Sequence, residues 1–435
     1  MHLVKSYKVK IINRNKIFKQ TIQAYSNAVW FIVDVINNNY SSLEDLTSKQ
    51  KYNFIEKLIH NTKENKAKYD FDDKFINFPS YFRRSAIAIA LGKYESWYSN
   101  YKNWEINKVG NAPKLSKGYL VMPCFFKNNM FLKTNDKYIV RIKVLINKCW
   151  DYIDIPLRKT DIDYIEKNCF SLKESNPTLI KKDKNYYLNF AYDINVDNLP
   201  KGKVEKMCAV DLGINNVATC SILTSDGTVL ARKFIKCIRE EDQINHYLNK
   251  IKKHQRLGSK ENKTLWAKVN NFNREISIKA SNEIINFAKT NEVKVIVFEY
   301  LDTKGKKKGS KKQRLALWRK RDIQKRVTLN AHIQGIRVNR ICAFNTSRLA
   351  FDGSGKVLRG KEIDPSNTNY SICKFTNGKI YNCDLNASYN IGARYYIKEI
   401  QKTISEKKWL LMVAKVPSLS KRSTCTLSTL KEILA

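Results

Sequence analysis

The chain has 435 residues, room for about two to four domains, and 43% of them are hydrophobic, which excludes a disordered chain. Lysine and arginine number 80 against 40 aspartates and glutamates, a net charge of +40 that strains a compact fold by self-repulsion. Nucleic acid is the leading polyanion to relieve it, ahead of a ribosome-like structural role or a membrane surface. The longest apolar runs, such as AVWFIVDVI and WLLMVA, are too short to span a bilayer.

The N-terminal MHLVKSYKVKIIN alternates like a strand and lacks the apolar core of a signal peptide, so the chain reads as a soluble, intracellular protein. Residues 5–13 are the first strand. In TIQAYSNAVWFIVDVI, Ile22, Tyr25, Val29, Ile32 and Ile36 recur at helical spacing. LTSKQKYNFIEKLIH is a second helix with Thr47 or Ser48 as its cap. A long aromatic helix, PSYFRRSAIAIALGKYESWYSNYKNW, opens at Pro79. Its Arg83 and Arg84 sit in the first turn, where the helix dipole disfavours cations, so a salt partner, a phosphate or plain solvation must offset them. From about residue 118 to 195 the period changes to two. TLIKKDKNYYLNFAYDI is a hairpin, and the first strand is available to complete this small β domain. The polar stretch VDNLPKGKVEK (196–206) is the main boundary.

Beyond it come a buried strand (KMCAVDLGI), a hairpin (VATCSILTSDGTVLARKF), and two long helices over 239–290. A second buried strand (VKVIVFEYL), a further strand (GIRVNRICAF) and a helix (DLNASYNIGARYYIKEI) follow. That order is the one expected of an RNase H-like α/β core. Within it, residues 304–326 hold 12 basic residues and one acid, a loop then a helix, placed to track phosphates. The ten cysteines are scattered, with no C-x-x-C, and read as small buried residues.

Three acids stand at element ends. Asp211 ends the apolar strand 207–210, Glu299 ends 293–298, and Asp384 opens the helix 384–400, where capping and the helix dipole favour it. Carboxylates at the ends of buried strands collect ligands. Three together suit phosphodiester hydrolysis, in which two Mg²⁺ ions roughly 4 Å apart clamp the attacking and leaving oxygens. Magnesium prefers oxygen ligands, which points to Asp384 rather than its neighbour Cys383. Gly213 in DLGINN lets the backbone turn closely after the acid, suiting approach of a substrate backbone.

AVDLGINNVAT, VIVFEYLD and DLNASYNIGARY resemble the three RuvC motifs of the TnpB/OrfB family of transposon-encoded RNA-guided nucleases, whose relatives include small type V CRISPR effectors. FNTS (344–347), the helix FPSYFRRSAIAIALGKYESW and the tail VPSLSKRSTCTLSTL extend the resemblance over nearly the whole chain. It implies an α+β multidomain protein. Residues 1–17 and 116–204 would form a β-barrel-like wedge around a helical recognition domain at 18–115. Residues 205–347 and 383–435 would form the RuvC nuclease, interrupted by a target-binding insertion at 348–382. Asp211, Glu299 and Asp384 would hold two Mg²⁺ ions, with Mn²⁺ able to substitute. A guide RNA would pair with one strand of double-stranded target DNA while the protein reads a short flanking motif, and aromatic side chains would stack on the single strands. The nucleic-acid contacts expected are Arg83, Arg84, Lys306, Lys307, Lys308, Lys311, Lys312, Arg319, Arg321 and Arg394, in a protein of the prokaryotic cytoplasm associated with the nucleoid.

One departure stands out. The family carries two C-x-x-C pairs, a zinc ribbon, between TS and the last aspartate. Here the first falls on RLAFDGSG, which has no cysteine, and the second near ICKFTNGK, where Cys373 stands alone. Cys342, Cys373 and Cys383 do not supply paired ligands by spacing. Residues 348–382 are therefore expected to be a zinc-free remnant held by its own packing, with DGSGK and NGK as hairpin turns. Both a transposon protein and a small CRISPR effector fit the sequence. An unguided structure-specific RuvC nuclease would leave the helical lobe and wedge surplus, and a catalytically silent nucleic-acid-binding regulator sits poorly with an intact acid trio.

Overall fold

A computed structural model describes residues 2–12, 17–196, 199–202, 204–213, 215–259, 261–301, 317–367 and 369–435. The chain divides after Ile194 into two compact units, a little before the boundary expected at 204.

The first unit opens with β1 (His2–Lys10) and four helices: α1 (Ile17–Asn39), α2 (Ser48–Ile59), α3 (Phe71–Lys74) and α4 (Ser80–Asn107). The helical spacing in α1 becomes a buried stripe of Phe18, Ile22, Tyr25, Val29, Ile32 and Ile36. The stripe meets α4 where the Tyr25 and Phe82 rings pack edge to face at 5.4 Å and the Tyr25 and Ser85 hydroxyls hydrogen-bond. Thr47 caps α2 in a reciprocal box with Gln50. The strands follow as β2 (Phe131–Lys133), β3 (Ile139–Ile146) and β4 (Cys149–Pro156), then α5 (Lys159–Cys169), β5 (Lys173–Glu174), β6 (Thr178–Lys182) and β7 (Asn185–Asn195). β2-β3-β4 is one antiparallel sheet; β1-β7-β5, with β6 also on β7, is another. The expected β6–β7 hairpin is present, turning at Asp183 (φ 53°), and β1 does complete its sheet. The barrel is not closed: these are two separate sheets among the described residues, and β2 and β5, three and two residues long, are too short to carry a ladder around a ring.

The second unit is built on β8 (Lys206–Asp211), β9 (Ala218–Thr224) and β10 (Val229–Ile235), followed by α6 (Ile238–Arg256), α7 (Lys263–Thr290), β11 (Val295–Glu299), α8 (Lys320–Ile333) and β12 (Arg337–Ile341). The sheet order is β10-β9-β8-β11-β12, with β8, β9 and β10 antiparallel and β11 parallel to both β8 and β12. Short strands β13 (Leu358–Arg359), β14 (Ile372–Lys374) and β15 (Ile380–Asn382) then form a small antiparallel sheet before α9 (Cys383–Thr403), α10 (Glu406–Lys415) and α11 (Leu427–Glu432). The central strands are covered on both faces, which is why they read as continuous apolar runs. Cys208, Val210, Ile296 and Phe298 join the cluster that includes Ile284 of α7 and Val327 of α8, while Met207, Ala209, Val295 and Val297 join Tyr389, Ile391 and Tyr396 of α9.

Gly392 is where α9 meets the sheet. A Cβ there would lie 2.8 Å from a methyl of Leu223 on β9. Gly392→Leu should therefore force α9 outward and destabilise the protein by about 2–3 kcal/mol, read as a lower denaturant midpoint at unchanged slope.

The small sheet lies on Ala350, Val357, Cys373, Phe375 and Cys383, all buried. Phe351 packs edge-on against Phe375, Tyr381 and Tyr389. Gly378 (φ 85°) turns the NGK corner between β14 and β15, and Ala350 N–H to Gly355 O at 2.9 Å closes DGSGK. No helix among the described residues is long and apolar enough to cross a membrane.

Candidate active site

Parallel pairing aligns Phe298 of β11 with Val210 of β8, so the next residues, Glu299 and Asp211, stand level at adjacent strand ends. Asp384 enters from the first turn of α9. The helix is capped not by Asp384, as expected, but by Asn382, whose side-chain oxygen accepts from the backbone N–H of Asp384 and Leu385 at 3.0 Å each. That leaves the Asp384 carboxylate available, and Asn216 Nδ2 donates to it at 2.6 Å. Glu299 is buried; the Thr346 hydroxyl donates to its carboxylate, and Gln324 Nε2 donates to its backbone oxygen at 2.9 Å.

The three acids share one electrostatic neighbourhood. Asp211 keeps part of its surface open but is surrounded by protein. Burial first, then the charges of Glu299 and Asp384, push its carboxyl well above the usual range, with Arg359 pulling the other way. Burial also raises Glu299, against the Thr346 hydrogen bond and the charges of Arg394 and Lys320. Burial is the larger cause at both positions, and at Asp211 the neighbouring carboxylates Glu299 and Asp384 add to it. Carboxylate oxygens that repel one another are hard donors of the kind that a divalent cation such as magnesium matches. Among the described residues no three His, Cys, Asp or Glu side chains are drawn together tightly enough to cage a metal by themselves. Magnesium does not require such a cage, because it is commonly held by one or two carboxylates, waters and substrate phosphates.

Sequence reasoning missed Asn216, Thr346 and Arg359 as partners of these acids, although Asn216 lies within DLGINN and Thr346 within FNTS. Gly213 serves the loop itself: a Cβ there would sit 2.6 Å from the carbonyl oxygen of Asn216. Beside it, a cavity of about 380 Å³ is lined by Gly213, Ile244, Asn273, Leu317, Trp318 and Arg319.

The expected nucleic-acid contacts divide. Arg394 is buried, and its guanidinium donates to the carbonyls of Cys425, Cys342, Phe344 and Ser423 at 2.7–3.0 Å, so it ties loops to α9 rather than reaching a ligand. Arg83 is also buried, facing Glu56 at 3.8 Å, because the first turn of α4 packs inward at that position. Arg84 is exposed, its guanidinium 5.5 Å from the Tyr81 ring centre. Arg319 is half-buried beside Asn270, and Arg321 is exposed. Lys306, Lys307, Lys308, Lys311 and Lys312 lie outside the described residues. Cys373 and Cys383, which sequence spacing keeps apart, come together: both are buried in one cluster, where the Cys373 thiol donates to the carbonyl of Tyr381 at 3.4 Å.

A family model named Aq_aa04 matches residues 5–146. The TnpB-like protein aq_aa05 of Aquifex aeolicus (strain VF5) is 29% identical over 232 residues, which span 49% of this chain and 74% of that protein. Among solved structures, the Cas12f1 chain of a Cas12f1-sgRNA-target DNA complex is similar with a TM-score of 0.52 at 15% identity, covering 86% of this chain and 81% of that one. The C2c1 chain from Alicyclobacillus acidoterrestris, in complex with single-guide RNA, has a TM-score of 0.44 at 11% identity over 87% and 70% of the two chains. At such identities the Cas12f1 match speaks to fold: a mixed α/β, multidomain architecture of the kind seen in that effector.

Proposed function

We propose that this chain, similar to TnpB-like proteins and type V effectors, is an RNA-guided, Mg²⁺-dependent DNA endonuclease with a single RuvC site. The observation that supports the reading is the approach of Asp211, Glu299 and Asp384, from two adjacent strand ends and a helix start, near enough for the other two charges to act on Asp211. The net charge of +40 and the relatives found in complexes with guide RNA and DNA support a nucleic-acid substrate.

In this reading Asp211 and Glu299 present oxygen donors from the strand ends, and Asp384 adds a third from α9. Asn216 fixes the orientation of the Asp384 carboxylate, and Thr346 that of Glu299. Bound magnesium would polarise the phosphodiester and stabilise charge on the attacking and leaving oxygens. The His2–Ile194 unit would carry the wedge, as open sheets, and the helical recognition lobe. The β13–β15 sheet would occupy the place of a zinc ribbon within the nuclease.

The test is purification from cells carrying the native locus, followed by sequencing of bound RNA and cleavage assays with and without it. One discrete copurifying RNA that is required for cutting is the expected result. Cutting without any RNA would replace the guided reading with that of a structure-specific nuclease.

A further inference from the structure

Between the end of β12, α9 and α10, a second pocket of about 170 Å³ is lined by Arg340, Cys342, Lys398, Gln401, Trp409 and Arg422. Its position follows from the sheet. Ile341 of β12 pairs with Glu299 of β11, so Cys342 and the pocket wall begin one strand over from the acids. The volume falls below the roughly 300–1,000 Å³ typical of sites for drug-sized ligands, so the occupant is a small group.

The wall is cationic. Arg340, Lys398 and Arg422 have no carboxylate partner among the described residues. Glu399, the acid nearest Lys398, is already engaged by Lys402 at 2.7 Å and by Arg337 at 3.9 Å. Arg394 adds a fourth positive charge in the wall, with its N–H groups directed to backbone carbonyls. Lys398 is half-buried, and its ammonium is held below its ordinary range by burial and then by the charges of Lys402 and Arg422, with Glu399 pulling the other way. Such crowding is unfavourable in the empty protein and is relieved by an anion. Trp409 supplies an apolar side wall, and the Gln401 amide a neutral donor.

We propose that this pocket binds a phosphate group of a nucleic-acid backbone, one strand over from Glu299. The inference rests on the nucleic-acid reading above but not on catalysis. A strand seated there is anchored by charge beside β12 without engaging the acids themselves.

The experiment measures binding of a fluorescein-labelled single-stranded oligodeoxynucleotide to the full chain by anisotropy across a salt series. The Lys398→Gln/Arg422→Gln variant is expected to bind about tenfold more weakly near 0.1 M salt, with a log–log salt slope flatter by about 0.7 for each phosphate it no longer neutralises. Lys407→Gln/Lys408→Gln, which removes the same charge from the exposed face of α10, should stay close to the unmodified chain. Thermal melts of both variants establish that they are folded. Equal weakening in the two variants, or an unchanged pocket variant, would overturn the proposal by reducing it to bulk charge or to nothing. Inorganic phosphate provides a second arm. If it raises the melting temperature of the unmodified chain through these residues while oligonucleotide affinity ignores the pocket variant, the site takes a small free anion and the backbone assignment fails. An intact pocket effect in a protein that neither cuts DNA nor carries RNA would sink the nuclease reading and leave this one standing.

Discussion

Asp211→Asn should lower Mg²⁺-dependent DNA cleavage at least about a thousandfold, the result of losing several kcal/mol of charge stabilisation at the reacting phosphate. Binding of nucleic acid should survive, because the variant leaves the basic surfaces intact. The same substitution should make the metal-free protein more stable. The Asp211 carboxyl is held above its unfolded value, first by burial and then by Glu299 and Asp384. The folded state therefore retains a proton that the unfolded chain releases, and stability falls as pH rises from the unfolded value near 4 toward the folded one. Asparagine has no proton to release. In EDTA at neutral pH the variant should melt several degrees higher than the unmodified chain, and added Mg²⁺ or Mn²⁺ should close the gap by stabilising only the latter. Scanning calorimetry with and without chelator reads this directly. Cleavage that persists in the variant would move the active site elsewhere. A variant that melts no higher would show that the acids do not crowd one another.

The second large effect concerns folding rather than chemistry. Arg394→Ala removes a buried donor to four backbone carbonyls around α9. Leaving them unpaired should cost on the order of 4 kcal/mol in equilibrium denaturation. Arg394→Lys should recover little of it, since an ammonium cannot reproduce the planar fork of a guanidinium. Arg84→Ala offers the contrast: the residue is exposed, and its removal should change stability by no more than about 0.5 kcal/mol. If Arg394→Ala stayed fully stable, the loops it ties would have to be held by other interactions.

Much of the second unit was legible in the sequence because its signals are local. Apolar runs ending in Asp211 and Glu299 mark strands buried on both faces, and the change from strand to helix at Asp384 marks the third element. The helical spacing of α1 and the cap at Thr47 were equally plain. What escaped was what depends on tertiary packing. Arg83 and Arg394 look like surface cations in a basic chain. Only the docking of α4 and α9 turns them inward, toward Glu56 and toward four carbonyls. Alternation alone does not reveal that β2 and β5 are too short to close a barrel. Nor does separation in sequence reveal that Cys373 and Cys383 are diagonal neighbours, since that follows from the register that pairs Cys373 with Tyr381.

The way the three acids are mounted has a mechanical consequence. Asp211 and Glu299 sit on strands joined by a backbone ladder, so their spacing is as fixed as the sheet. Asp384 rides on a helix whose seat is side-chain packing and hydrogen bonding: Gly392 against Leu223, Arg394 among its carbonyls, and Asn216 reaching across to the carboxylate. The centre resembles a bench vice with two jaws cast into the frame and one on a slide. Any adjustment of its aperture must run through α9, and residues far along that helix can alter the fit of a substrate they never touch.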